Sequence, residues 1–166
     1  EFRRVLFRSR NWTKDKKRID KVFSHVLATN SPVWLVSFLE GTRITEEKLV
    51  RSQTYCQRKN FPKLNHLLAP KTKGFTASVT ALRPNLDAVY DVTIGFPQGI
   101  PKIGHLLAGY VRQINLHVRR YAIVSLPHEE KDLQDWVWMR FKEKDQLLEY
   151  FLANQKFPGT PLEEPL

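Results

Sequence analysis

The sequence predicts an α/β fold, in which a largely parallel sheet is flanked by helices and followed by a long C-terminal helix. Two apolar runs rich in β-branched and aromatic residues, 33–39 and 88–94, have the composition of buried strands. Amphipathic stretches alternate with these runs, and parallel pairing is the simplest arrangement for that order. The last stretch, 129–153, carries leucines and aromatic residues at helical spacing, which predicts a helix packed on the core.

The first part of the chain predicts two helices with a strand between them. Residues 11–29 place apolar side chains on one face and a basic run on the other, so we expect a helix that ends before Pro32. The strand at 34–39 comes next. A second helix is expected over about 46–58, with Thr45 as its N-cap and two acids in its first turn.

Further strands and helices alternate in the second half. Residues 67–70 predict a short strand, 73–82 a helix and 88–94 the clearest strand of the chain. A loop containing proline and glycine follows at 97–101. Residues 114–118 then alternate in polarity as a strand does.

The apolar stretch 103–111 has two interpretations. Lys102 and Arg112 flank it, so it could rest on a membrane surface. A basic amphipathic membrane helix needs a longer stretch, however, so a helix covered by the rest of the domain is the favoured expectation.

Length and charge bound the class of protein. The 166 residues suit one domain, and the apolar and charged fractions of 42% and 27% are those of a folded globular protein. A formal charge of +10 and a pI near 9.9 indicate an anionic partner: nucleic acid, phospholipid headgroups or a phosphorylated small molecule. No apolar run has the length of a membrane-spanning helix. The single cysteine, Cys56, excludes an internal disulfide and is expected to pack in the core.

The first nine residues are not expected to belong to the natural protein. Residues 1–9 match the translation of a common short-read sequencing adapter, so we interpret them as a cloning or assembly scar. Without them the chain has 24 basic and 16 acidic residues, and the net charge is still +8. The domain is then predicted to occupy 10–156, with a flexible, proline-rich tail at 157–166.

The turn Glu40-Gly41-Thr42-Arg43 is the strongest candidate site. It lies between the predicted strand and the helix that Thr45 begins. Such a turn directs backbone N–H groups and the positive end of the helix dipole to one point, and the Arg43 guanidinium suits two phosphate oxygens. The sequence therefore predicts an anion site. From spacing alone, a plain Gly-Thr turn with a solvated Arg43 is the alternative.

Four ordered segments carry a family resemblance. Arg10-Asn11-Trp12 with Lys14-Asp15 is one, and residues 38–43, Phe-Leu-Glu-Gly-Thr-Arg, are the second. Residues 68–75, Leu-Ala-Pro-Lys-Thr-Lys-Gly-Phe, and residues 88–93 are the third and fourth. In this order they resemble the blocks of the 1-acylglycerol-3-phosphate acyltransferase family and its plant, fungal and lysocardiolipin-type members. One departure is Leu39, which stands where many members carry proline.

The resemblance implies transfer of an acyl chain from acyl-CoA to the free hydroxyl of a lysophospholipid. Conversion of 1-acylglycerol-3-phosphate to phosphatidic acid is the expected reaction, and lysocardiolipin or another lysophospholipid is the alternative acceptor. Family members use a His-x-x-x-x-Asp block, in which histidine takes the hydroxyl proton and aspartate orients the imidazole. No aspartate stands five positions after any of the five histidines, and His128 has Asp132 one position short. No catalytic residue is therefore expected in this chain, which resembles an inactive, N-terminally truncated fragment of an active parent.

The same resemblance implies that Arg43 and Arg10 bind the substrate phosphate. It also assigns Glu40, Gly41 and Thr42 of the turn to this phosphate site. Glu40 either orients Arg43 or the turn through a hydrogen bond or contacts the glycerol. The first role is favoured because a carboxylate beside a phosphate is costly without a cation between them.

On the acyl-donor side, Pro70 shapes the site or simply ends a strand. Lys71 and Lys73 contact phosphate or coenzyme A, or are solvated. No metal and no bound cofactor are expected, and acyl-CoA is a co-substrate.

The expected partners are lysophosphatidic acid or a related lysophospholipid, acyl-CoA and a membrane surface. The endoplasmic reticulum or another endomembrane is the expected location of the parent. Nucleic acid is not expected, because the aromatic residues lie at core spacing. A non-catalytic basic module that binds anionic membrane surfaces is the competing hypothesis.

Overall fold

The computed structural model describes residues 22–29 and 32–159, in which helices and strands are mixed as predicted. Helix α1 is described at 22–29. The elements that follow are α2 (Glu46–Arg58), α3 (Thr72–Leu82), a 3₁₀ turn (Arg83–Asn85), β1 (Ala88–Gly95), α4 (Ile103–Leu107), β2 (Asn115–Ala122), a second 3₁₀ turn (Ile123–Ser125) and α5 (Glu130–Asn154). Predictions for residues 1–9, for Arg10 and for the start of the first helix lie outside the described residues.

The sheet differs from the prediction. Strands β1 and β2 form a two-stranded antiparallel sheet in which Ala88 pairs with Ala122 and Gly95 with Asn115. The expected largely parallel sheet is not found in the described part of the chain. Parallel neighbours need a crossover, usually a helix that packs back onto the sheet, whereas the connection from β1 to β2 contains only the five-residue α4.

The apolar run 33–39 is extended but belongs to no strand ladder among the described residues. Val33 and Leu35 pack with Phe23 and Leu82, while Trp34 and the other side chains of the opposite face are exposed. The prediction of a buried strand at 33–39 is therefore wrong within the part of the chain that the structure describes, because one face of the run is exposed and the run pairs with no other strand.

Residues 67–70 do not form the predicted short strand. The Leu68 N–H donates to the Glu40 carboxylate at 2.9 Å, and the Ala69 N–H donates to Ser52 Oγ at 2.7 Å. Side chains thus satisfy the backbone donors that a neighbouring strand would otherwise have paired.

Helix α5 organises the core, as its apolar stripe predicted. Leu133, Val137, Phe141 and Phe151 are buried along it, facing α3, β1 and the segment around Cys56. Burial of Cys56 confirms its predicted packing role, and burial also raises the pKa of its thiol.

The expectation for the connection between the two strands is wrong. The stretch 103–111 is not a covered helix, because Leu107 is 83% and Tyr110 69% exposed. Phe157, the first residue of the predicted flexible tail, packs against Phe151 with ring centroids 4.7 Å apart. None of the described helices is both long enough and apolar enough to cross a bilayer.

Candidate functional site: the turn before helix α2

The turn at residues 40–43 is held in a fixed shape by its own backbone. The Gly41 N–H donates to the Phe38 carbonyl at 3.0 Å, and Gly41 has a φ of 68°, a left-handed conformation that favours glycine. Helix α2 begins three residues after Arg43, and its N-cap is Thr45, whose hydroxyl accepts from the Lys48 N–H as predicted. The turn therefore stands at the positive end of a 13-residue helix.

Lys48 extends back from the first turn of α2 onto this loop. Its Nζ donates to Thr42 Oγ1 at 2.9 Å and to the Arg43 carbonyl oxygen at 3.0 Å. These two bonds fix Thr42 and the backbone of Arg43. The Lys48 ammonium also adds a second positive charge to the turn, besides that of Arg43. Lys48 was not predicted from the sequence, although its place in the first turn of the helix was a usable signal.

Lys71 joins the same place from the next segment of the chain. Its N–H donates to the Leu39 carbonyl oxygen at 2.8 Å, which ties the start of α3 to the start of the turn. Its side chain lies across Gly41, since a Cβ added there would be 2.9 Å from Lys71 Nζ. Lys73 is exposed in the first turn of α3.

Glu40 connects the turn to residues 67–70. Its carboxylate accepts the Leu68 N–H at 2.9 Å. Burial raises the pKa of this carboxyl above its ordinary value, while the Leu68 N–H and the positive charge of Lys144 act in the opposite direction. The carboxylate thus holds the turn in place, which is one of the two roles considered for it.

Arg43 has its guanidinium available to a ligand. The residue is exposed, and its side chain makes no hydrogen bond or ion pair with any residue of the described segments. A free planar fork, on a turn that two lysine side chains also contact and that precedes a helix N-terminus, is suited to an oxyanion with two or more oxygens.

Comparison with known proteins places this chain in a family. The chain is 36% identical over 156 residues to the probable 1-acyl-sn-glycerol-3-phosphate acyltransferase 5 of Arabidopsis thaliana, covering 93% of the chain and 42% of that protein. It is 37% identical over 155 residues to lysocardiolipin acyltransferase 1 of Mus musculus, covering 91% and 41%. Residues 105–165 match the family model described as acyltransferase C-terminus.

The chain belongs to the 1-acyl-sn-glycerol-3-phosphate acyltransferase family. It spans about two fifths of the length of the first of these relatives. No solved structure matches it.

Two further site residues, Pro70 and Arg10, were predicted from this family. Pro70 is buried, immediately before the N-cap of α3, and it ends no strand because none forms there. Arg10 lies outside the described residues, so its predicted role stays a prediction.

Asp145 supports the site by accepting backbone hydrogen bonds, and it was not predicted from the sequence. This buried carboxylate of α5 accepts the N–H of Asn65 at 2.9 and 3.0 Å and that of His66 at 2.7 Å. It thereby fixes the segment that leads to Leu68, the partner of Glu40. The available signal was its position four residues after Phe141, where an acidic residue interrupts an otherwise apolar helix face.

A concavity elsewhere in the described part of the chain is a weaker candidate for an anion site. It has a volume of about 520 Å³ and includes Arg119, Arg140, Glu143 and Tyr150 in its lining. Both arginines are already paired with Glu143, at 2.7 and 2.8 Å. The turn is therefore the better anion site, since the guanidinium of Arg43 has no such partner in the described chain.

Proposed function

We propose that this chain supplies the acceptor-phosphate site of an acyltransferase that uses acyl-CoA to acylate a lysophospholipid, most simply 1-acylglycerol-3-phosphate, giving phosphatidic acid. The observation that carries the proposal is the unpaired guanidinium of Arg43 on a turn that Lys48 and Lys71 also approach. The names of the relatives support a lysophosphatidate or lysocardiolipin acceptor.

The positions of the acidic and basic side chains at the turn favour a phosphate ligand. Glu40 is the turn's acidic residue, and its carboxylate is engaged by the Leu68 N–H. Arg43 and Lys71 remain exposed. A phosphate bound there would gain charge-assisted hydrogen bonds, while the Glu40 carboxylate is already bonded to the Leu68 N–H.

The catalytic contribution of this site is positioning. Holding the phosphate by several donors fixes the glycerol hydroxyl relative to the acyl donor, which lowers the entropic part of the barrier. The proton-accepting histidine is proposed to come from a His-x-x-x-x-Asp block elsewhere in the longer protein, because none of the five histidines here has that spacing. Lys71 is proposed to contact the acceptor phosphate at the turn, while on the acyl-donor side Pro70 is proposed to set the course of the backbone and Lys73 to contact a coenzyme A phosphate.

The longer protein is proposed to work at the endoplasmic reticulum or another endomembrane, where its lipid substrates are found. This chain by itself is expected to show no turnover of acyl-CoA. Release of free coenzyme A in the presence of lysophosphatidate would contradict that expectation.

Calorimetric binding of a short-chain lysophosphatidate by the 166-residue chain tests the site. Arg43→Ala should weaken binding by about tenfold or more, because a charge-assisted hydrogen bond to phosphate is lost. Arg58→Ala removes an exposed arginine of the same charge from the last turn of α2 and is the matched control. Arg43→Lys should retain part of the affinity, since it keeps the charge but not the fork.

The outcome also decides between the two candidate functions. Equal losses in Arg43→Ala and Arg58→Ala would mean that net charge alone binds the ligand, as in a non-catalytic basic module. Equal affinity for lysophosphatidylcholine, whose phosphate is a diester, would argue against recognition of a phosphate monoester.

A further inference from the structure

The outer face of the β1–β2 hairpin is apolar and exposed. Successive residues of a strand point to opposite faces, and directly paired residues point to the same one. Val92 pairs with Val118, and Ile94 pairs with Leu116. These four side chains are between 42% and 60% exposed. Tyr90 and Arg120 form the next pair on this face, and they are exposed as well.

The inner face of the same hairpin is already partnered by α5. Asp91 forms an ion pair with Lys144 at 2.5 Å, and Arg119 pairs with Glu143 at 2.7 Å. At Gly95, the Phe151 ring lies so close that an added Cβ would be 2.6 Å from it. The covered face thus carries ion pairs as well as packed side chains, whereas the pairs Val92–Val118 and Ile94–Leu116 of the open face are wholly apolar. An antiparallel sheet with one solvated face normally has polar residues on the open side.

The connection between the two strands also exposes apolar side chains. Ile100, Leu107, Tyr110 and Ile114 are each about half exposed or more. An exposed apolar area of this kind, joined along the chain, is typical of a protein or membrane interaction site.

The charge of this region selects the class of partner. Residues 92–128 contain no aspartate or glutamate, but they contain Lys102, Arg112, Arg119 and Arg120. Arg119 is engaged by Glu143, whereas the other three are exposed. Apolar side chains with basic residues nearby and no acids complement the headgroup layer of an anionic bilayer.

We propose that the outer hairpin face, defined by Tyr90, Val92, Ile94, Leu116, Val118 and Arg120 together with the exposed Ile100, Leu107, Tyr110 and Ile114 of the connection, docks on the surface of an anionic lipid bilayer. The apolar side chains enter the boundary between headgroups and acyl chains, where the rings of Tyr90 and Tyr110 are well accommodated. Lys102, Arg112 and Arg120 attract the negative surface. This surface contains no residue of the turn at 40–43, so docking and lysophosphatidate binding are separable.

Co-sedimentation of the 166-residue chain with vesicles tests the proposal. Phosphatidylcholine vesicles with phosphatidylserine should bind the chain more tightly than vesicles without it, and added salt should weaken the difference. Ile94→Asp and Val118→Asp, made singly, should each lower the partition coefficient by about tenfold. Arg120→Gln should lower binding to the anionic vesicles by about fivefold and leave binding to the neutral ones unchanged.

Controls separate docking from folding and from other apolar residues. Met139→Asp places the same charge at an exposed apolar position of α5 and should bind as the parent chain does. Val118→Thr keeps the shape and the β-propensity of valine, so weakened binding in this variant cannot be attributed to unfolding. Far-ultraviolet circular dichroism of each variant provides the same check.

Three results would overturn the proposal. The first is absence of vesicle binding. The second is undiminished binding of Ile94→Asp and Val118→Asp while Trp34→Asp abolishes it, which would move the contact to residues 33–39. The third is concentration-dependent self-association without vesicles that the hairpin variants remove, which would identify the face as an interface between copies of the chain.

Discussion

Replacing Asp145 with alanine removes the acceptor for two backbone N–H groups at once. The Asn65 N–H lies 2.9 and 3.0 Å from the two carboxylate oxygens, and the His66 N–H lies 2.7 Å from one of them. An unsatisfied buried donor costs about 1 to 3 kcal/mol. Because the segment is only partly buried, we expect Asp145→Ala to lower the free energy of unfolding by about 2 to 4 kcal/mol.

Urea denaturation followed by circular dichroism measures this loss. Asp145→Asn keeps one carbonyl oxygen and should lose only about 1 to 2 kcal/mol. The matched control is Asp135→Ala, an exposed aspartate of the same helix, with an expected change within about 0.5 kcal/mol. Equal stability of Asp145→Ala and Asp135→Ala would refute the view that this carboxylate anchors the segment leading to Leu68.

Two further predictions concern the turn itself. Gly41→Ala would place a Cβ at a φ of 68° and 2.9 Å from Lys71 Nζ. We expect it to lower the free energy of unfolding by about 1 to 2 kcal/mol, measured by thermal denaturation, and to weaken lysophosphatidate binding. An unchanged affinity would contradict a role for Lys71 beside Gly41. Burial raises the pKa of Glu40, so the native state binds its proton more tightly than the unfolded chain and stability falls as pH rises above the ordinary value of 4.5. Glu40→Gln cannot ionise and should gain stability relative to the parent chain between about pH 4 and about pH 7, and a constant difference over that range would be evidence against the raised pKa.

Local signals were sufficient for helices α2 and α5. Residues 46–58 were predicted from an N-cap at Thr45 and two acids in the first turn, and α2 spans Glu46–Arg58 with that cap. The stripe at 129–153 likewise predicted α5, because its periodicity is a property of one segment alone.

Non-local contacts account for the errors. The run 33–39 has the composition of a strand, but strand pairing depends on a neighbour that the run itself does not specify. The same limit applies to residues 67–70, whose donors bond to Glu40 and Ser52, residues 28 and 17 positions away. Two antiparallel strands with a long connection were therefore mistaken for part of a parallel sheet.

The candidate site was predicted in part. A turn carrying Arg43 at the start of a helix could be recognised from adjacent residues, and the structure places Lys71 beside it through the bond from its N–H to the Leu39 carbonyl oxygen. The contribution of Lys48 depends on how its side chain folds back over Thr42, and that of Asp145 on a contact across about 80 residues. Neither contact follows from spacing.

Nuclear magnetic resonance of the arginine side chains tests the central claim most directly. The ¹⁵N-labelled chain would be titrated with a short-chain lysophosphatidate while the guanidinium signals of Arg43 and Arg58 are followed. We expect the Arg43 signal to shift and to saturate with the same dissociation constant as calorimetry gives, while the Arg58 signal stays in place. Saturable binding that leaves the Arg43 signal unchanged would contradict the assignment of the turn as the phosphate site.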